Sequence, residues 1–103
     1  MEHHVYFWIK EELKTEGNKK AFEKSLAKLI EIEGSISAKW AIPAAVENRP
    51  VVDNSWDYAI SIIFESVKAH DAYQDHPDHH VFIEENRHLW ERVLVTDLDP
   101  QPN

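Results

Sequence analysis

The chain has no cysteine. That excludes disulfides, thiol catalysis and cysteine-based zinc sites, and it fits a reducing compartment. Long apolar runs are missing as well. The longest, such as Ala59–Phe64, has the length of a strand and is far too short to cross a bilayer. The start, Met1-Glu2-His3-His4, carries neither the basic flank nor the small-residue cleavage site of a signal peptide, so the expected compartment is the cytoplasm. Basic clusters are scarce too. Formal net charge is −8 and the one Lys19-Lys20 pair sits among acids, which speaks against nucleic acid and anionic membrane as partners.

What remains is an ordinary globular composition, 43% hydrophobic and 29% charged over 103 residues. It predicts a single α+β domain over 1–103, with a short tail at 99–103. Seven histidines are many for so short a chain.

His4–Lys10 is a β-branched and aromatic run of strand length, ended by polar residues around Gly17. Phe22, Leu26, Leu29 and Ile30 then form one helical stripe, with Thr15 or Asn18 as the starting cap and Gly34 as the stop. Ile36, Ala38, Trp40 and Ile42 alternate as a second strand up to Pro43. Residues 44–54 read as a loop, and Trp56–Phe64 as the third strand. Ser66 caps a short helix to about Gln74, Pro77 opens another to about Asn86, and Arg92–Leu98 is the last strand. The order β-α-β-β-α-β predicts a ferredoxin-like arrangement, a four-stranded antiparallel sheet with its helices on one face.

Both faces of that sheet carry apolar residues. Tyr6 and Trp8 oppose Val5, Phe7 and Ile9. Tyr58, Ile60, Ile62 and Phe64 oppose Ala59 and Ile63, and Val93 and Val95 oppose Leu94 and Leu98. The helices suffice for one face only, so the other is expected to pair with a second copy of the chain.

The ordered set His4-Val5-Tyr6-Phe7-Trp8, Ile32-Glu33-Gly34, Asp57-Tyr58-Ala59, Phe64-Glu65-Ser66, Ala72-Tyr73-Gln74-Asp75-His76-Pro77-Asp78-His79, Phe82 and Trp90–Asp97 resembles the stress-responsive α/β-barrel (Dabb, dimeric α/β-barrel) family. The resemblance implies a ferredoxin-like protomer whose sheets pack into a dimeric barrel. Most members have no assigned activity, and some are associated with stress. One catalyses an intramolecular aldol cyclisation of a polyketide without a cofactor, and the resemblance carries its functional residues to His4, Tyr73, His79 and Asp97.

Such chemistry needs a base beside a carbonyl and a donor for the resulting enolate. The resemblance assigns these tasks to His79, oriented by Asp97 or His4, and to Tyr73. It requires the His4/Tyr6/Trp8 face to be the one under the helices. Tyr6, Trp8, Phe22, Phe82 and Trp90 would then line the pocket and leave room only for a small aromatic or short-chain ligand. The alternative for the same residues is structural: Pro77 starts a helix, His76 or Asp75 caps it, and His79 meets Asp97.

No metal or other cofactor is expected. Asp75, His76, Asp78, His79 and His80 cluster in sequence, but no second cluster completes a site, and acids at a helix start are commonly solvated. His3 and His70 read as surface residues, and His88 as partly buried. Two functions follow: a homodimeric binding or stress-related domain without catalysis or, as the alternative, a small-molecule lyase or cyclase.

Overall fold

The β-branched and aromatic run at the start of the chain forms β1 (Glu2–Ile9), one of the two inner strands of the sheet in the computed structural model, which describes residues 1–102. A short 3-10 turn (Glu11–Leu13) leads to α1 (Glu16–Leu29). β2 (Ser37–Ala41) and β3 (Tyr58–Ile63) follow, then α2 (Val67–Asp75), α3 (Pro77–Asn86), a second 3-10 turn (Arg87–Leu89) and β4 (Trp90–Leu98). The sheet is antiparallel in the order β2-β3-β1-β4, and the fold is ferredoxin-like α+β.

The helix boundaries follow from local chemistry. Thr15 Oγ1 accepts the Asn18 N–H at the start of α1, and Ser66 Oγ accepts the Ala69 N–H at the start of α2. Gly34, at φ 106°, takes the left-handed conformation that turns the chain back toward β2. His76 ends α2 and caps α3 through its ring Nδ1, which accepts the Asp78 N–H, and Pro77 supplies the first helical position.

The helices cover one face. His3, Val5, Phe7 and Ile9 are buried beneath them, joined by Tyr58, Ile60, Ile62 and Phe64 from β3 and by Phe22, Leu26 and Leu29 from α1. Phe22, Leu26, Ile62 and Phe64 are almost fully enclosed, each burial worth roughly 1.5–3 kcal/mol. His4, Tyr6 and Trp8 point to the opposite face. β3 starts at Tyr58 rather than Trp56, because Asp53–Trp56 closes on itself: Ser55 N–H donates to the Asp53 carboxylate and Trp56 Nε1 donates to the Asp53 carbonyl. Ile36 and Ile42 fall outside β2 and are exposed, while Ala38 and Trp40 pack on the core.

Candidate functional site

Between the helices and β1–β4 lies a pocket of about 320 Å3. Its floor is Val5, Phe7, Ile60, Val93 and Val95. Its polar wall is His3, His70, Gln74, His79 and Asp97, and Phe82 and Trp90 close one side. β4 is an edge strand that the helices do not roof, so Val93 and Val95 stay partly exposed and the pocket opens over them. A larger groove of about 430 Å3 runs between α1 and α3, lined by Lys28, Glu31, Asp78 and Glu85 among others. It gathers none of the histidines.

Strand register builds the first half of the polar wall. His3 pairs with Asp97 across β1 and β4, which places both side chains on the helix-covered face. His3 Nδ1 lies 2.6 Å from Asp97 Oδ1, although His3 itself is only 3% exposed. An ionised carboxylate only accepts, so the proton of this contact sits on His3 Nδ1 and leaves Nε2 as a free lone pair. Gln74 Nε2 is 3.3 Å from that Nε2 and 3.4 Å from the Nε2 of His70, one helical turn away on α2.

Helix geometry builds the second half. The break at His76-Pro77 turns α3 back so that the His79 ring meets the Tyr73 ring edge-on, with centroids 4.9 Å apart. Tyr73 also lies 6.2 Å from the His3 ring. The Tyr73 hydroxyl and His79 Nδ1 are both buried without a hydrogen-bond partner in the protein. His4 Nε2, on the opposite face, and Trp90 Nε1 are buried in the same way; groups of this kind are costly to leave unpaired and call for a water or ligand partner.

Burial lowers the pKa of His79 from its ordinary value, and the neighbouring histidines His80 and His3 lower it further. Burial also lowers His3, outweighing the opposing pull of Asp97. Both rings are therefore neutral at pH 7. Burial pushes the Tyr73 hydroxyl up, so it keeps its proton and acts as a donor. Two neutral imidazoles, His3 and His79, thus line the pocket, and the protonated phenol of Tyr73 packs against His79; such groups are able to take a proton from carbon and to steady an oxyanion.

The expected residues divide. His79, Asp97, Phe82 and Trp90 line the pocket, and Tyr73 packs against His79 without lining it. His4 does not: it is on the other face, with Nε2 3.4 Å from Glu2 Oε1. Tyr6 and Trp8 share that face, where Tyr6 stacks on Trp56 and Trp8 Nε1 donates to Ser55 Oγ, so they neither line the pocket nor fill it. Phe22 is core, 1% exposed, and stacks between Phe7 and Tyr58. Asp97 meets His3, not His79 or His4. His3 and His70, expected at the surface, are the residues that sequence reasoning missed; His88 is exposed. Strand alternation was the available signal, since His3 shares its parity with the apolar Val5, Phe7 and Ile9.

Fold and pocket together define a ferredoxin-like α+β protein with an imidazole-lined cavity between helices and sheet. Residues 1–100 match the model of the stress responsive A/B barrel domain, and the chain belongs to that family. Olivetolic acid cyclase from Cannabis sativa is 26% identical over 102 residues, 98% of this chain and 97% of the cyclase. A Dabb family protein with a ferredoxin-like fold from Mesorhizobium loti superposes with a TM-score of 0.78 at 25% identity, covering 98% of this chain and 96% of that one. A dimeric ferredoxin-like protein of unknown function from Thermobifida fusca gives 0.72 at 18% identity, over 92% and 85%. Hydroxynitrile lyase from Passiflora edulis gives 0.73 at 20% identity, over 98% and 95%.

Proposed function

We propose that this chain is a homodimeric lyase or cyclase acting on a small carbonyl compound in the pocket between helices and sheet, its acid–base step carried by side chains alone. The observation that carries the reading is the meeting of a neutral His79 and a protonated, unpartnered Tyr73 hydroxyl beside an open cavity floored by apolar residues. Two proteins of like fold, a cyclase and a hydroxynitrile lyase, are enzymes by name, which supports this class over binding alone.

In the proposed step His79 removes a proton from the carbon next to a carbonyl. The electron pair of that C–H bond becomes a carbon–carbon π bond and displaces the carbonyl π pair onto oxygen, where Tyr73 O–H donates to the developing enolate. The enolate carbon then attacks a second carbonyl of the same molecule, or expels a leaving group, and His79 returns its proton to the oxygen or the departing group. His3, held by Asp97, is the second polar contact and takes the part first assigned to His4. Val5, Phe7, Val93 and Val95 hold the apolar portion of the substrate.

The test is a thermal-shift and turnover screen of small β-dicarbonyl compounds with wild type, His79→Ala, Tyr73→Phe, His3→Ala and His4→Ala. Turnover is expected to fall by about 100-fold or more without His79, from the usual worth of a general base. It should survive His4→Ala in protein that remains dimeric. Loss in His4→Ala matching that in His3→Ala, or full activity in His79→Ala, would overturn the reading.

A further inference from the structure

We infer that His3 and His70 form a binding site for a borderline divalent cation of the zinc class, distinct from the acid–base pair of His79 and Tyr73. One ring nitrogen from each of these histidines and a carboxylate oxygen of Asp97 all lie within 4.8 Å of one another, the one such grouping of histidine and acid side chains among the described residues close enough to hold a metal. The cluster drawn from sequence, Asp75 to His80, does not gather into one, since His76 is spent as a helix cap.

Both rings are presented in the form a cation needs. His3 Nδ1 is held by Asp97 at 2.6 Å and His70 Nδ1 by Asp71 at 3.0 Å. A carboxylate on Nδ1 fixes the proton there, orients the ring and makes the opposite nitrogen a better donor to a metal. The two free Nε2 atoms converge on one group, the Gln74 side-chain amide, at 3.3 and 3.4 Å. An amide N–H2 shared by two imidazole lone pairs bridges them as a cation held between them would. Rotation of that amide by half a turn puts its carbonyl oxygen where the nitrogen was, and it then supplies a third ligand to a cation lying between it and the two Nε2 atoms. Two imidazoles and an amide oxygen, with an open position toward the pocket, suit zinc or cobalt, while the hard all-oxygen preference of calcium and magnesium disfavours them.

The ligands also come from independently fixed elements. His3 is set by the β1–β4 register, and His70 and Gln74 by one turn of α2. The His70 ring meets the His3 ring edge-on at 4.8 Å. Loading the site therefore calls first for a rotamer change in Gln74.

The full chain should be titrated with Zn2+ by calorimetry and with Co2+ by visible absorption. One cation per chain is expected, with Co2+ ligand-field bands characteristic of a low coordination number. His70→Ala and His70→Gln should each weaken binding by at least about tenfold, and Asp97→Asn by about 10- to 100-fold, the usual cost of losing an orienting carboxylate. His79→Ala and His80→Ala should bind as wild type, which separates this site from the acid–base reading whether or not that reading survives. Absence of stoichiometric binding, or binding unchanged in both His70 variants that remain folded by circular dichroism, would overturn the inference. Loss confined to His80→Ala would do so too, by assigning the cation to surface histidines.

Discussion

Two buried phenols are held in opposite ways. Tyr58 O–H donates to Glu23 Oε2 at 2.7 Å, tying β3 to α1, whereas the Tyr73 hydroxyl has no partner. Removing a hydrogen bond to a charged group costs about 1.5–3 kcal/mol, so Tyr58→Phe should lower unfolding stability by that order in urea titrations. Tyr73→Phe removes an unsatisfied polar atom and keeps the ring contacts with Phe64 and His79, so its stability should equal or exceed wild type. A stable Tyr73→Phe with weakened function is what a functional hydroxyl predicts; a destabilised one would show that the hydroxyl is structural. The buried histidines add a pH dependence. His3 and His79 are lowered in the folded state, so the unfolded chain binds their protons more readily. Their contribution is present in full above the ordinary value of about 6.5 and is lost as pH falls below it toward the folded values. Urea midpoints between pH 7.5 and 5 should therefore fall with acid, and less steeply in His79→Gln.

Elements are joined by a few polar contacts whose partners are far apart in sequence. At the end of β1 the Asp57 N–H donates to the Phe7 carbonyl, and Asp57 Oδ2 accepts the Ile9 N–H at 2.7 Å, next to the register shift at Trp8/Ile9. Lys14 Nζ approaches the other carboxylate oxygen at 3.4 Å. Asp57→Ala leaves a partly buried N–H without an acceptor and should cost about 1–3 kcal/mol, with Asp57→Asn milder because it retains an acceptor; chemical denaturation measures both. Element identity was legible because it rests on local signals: the Thr15 and Ser66 caps, the break at Gly34, Pro77 at a helix start. Register was not, because it is decided between strands. A shift of one residue on the first strand separates His3, on the helix-covered face, from His4, on the other, and in a strand one residue changes the face. That single step displaced Tyr6 and Trp8 with it and hid His70, whose only signal is its approach to His3 across the fold. The meeting of Tyr73 and His79 was legible because the His76-Pro77 turn that brings them together is written in contiguous residues.

At the scale of the whole molecule, the sheet is the unsolved surface. Its helix-covered face is sealed by α1, α2 and α3, except above β4. On the other face the loop before β3 reaches only one corner: Trp56 stacks on Tyr6 at 5.3 Å, Ser55 meets Trp8, and Arg92 lies 4.4 Å over the Trp8 ring. Ile63, Leu94 and Leu98 on the same face remain 38%, 37% and 44% exposed. The alternation that made both faces apolar was visible in sequence, and the loop does not cover the second one, which favours a second copy as its cover. Face-to-face pairing should bury about 800 Å2 per partner, the usual size of a stable interface. Apolar side chains at its centre then dominate its strength, and a charge placed there is desolvated without a partner. Leu94→Glu lies on β4 opposite Tyr6, on the exposed apolar face and outside the pocket lining. Light scattering should give a dimer for wild type and a monomer for Leu94→Glu at micromolar concentration. The wild-type melting temperature should also rise with protein concentration, while that of the variant should not. A wild-type chain that scatters as a monomer would leave this face as a docking surface for some other partner and remove the dimer from the proposed function. A dimer undisturbed by Leu94→Glu would place the contact elsewhere on the protomer.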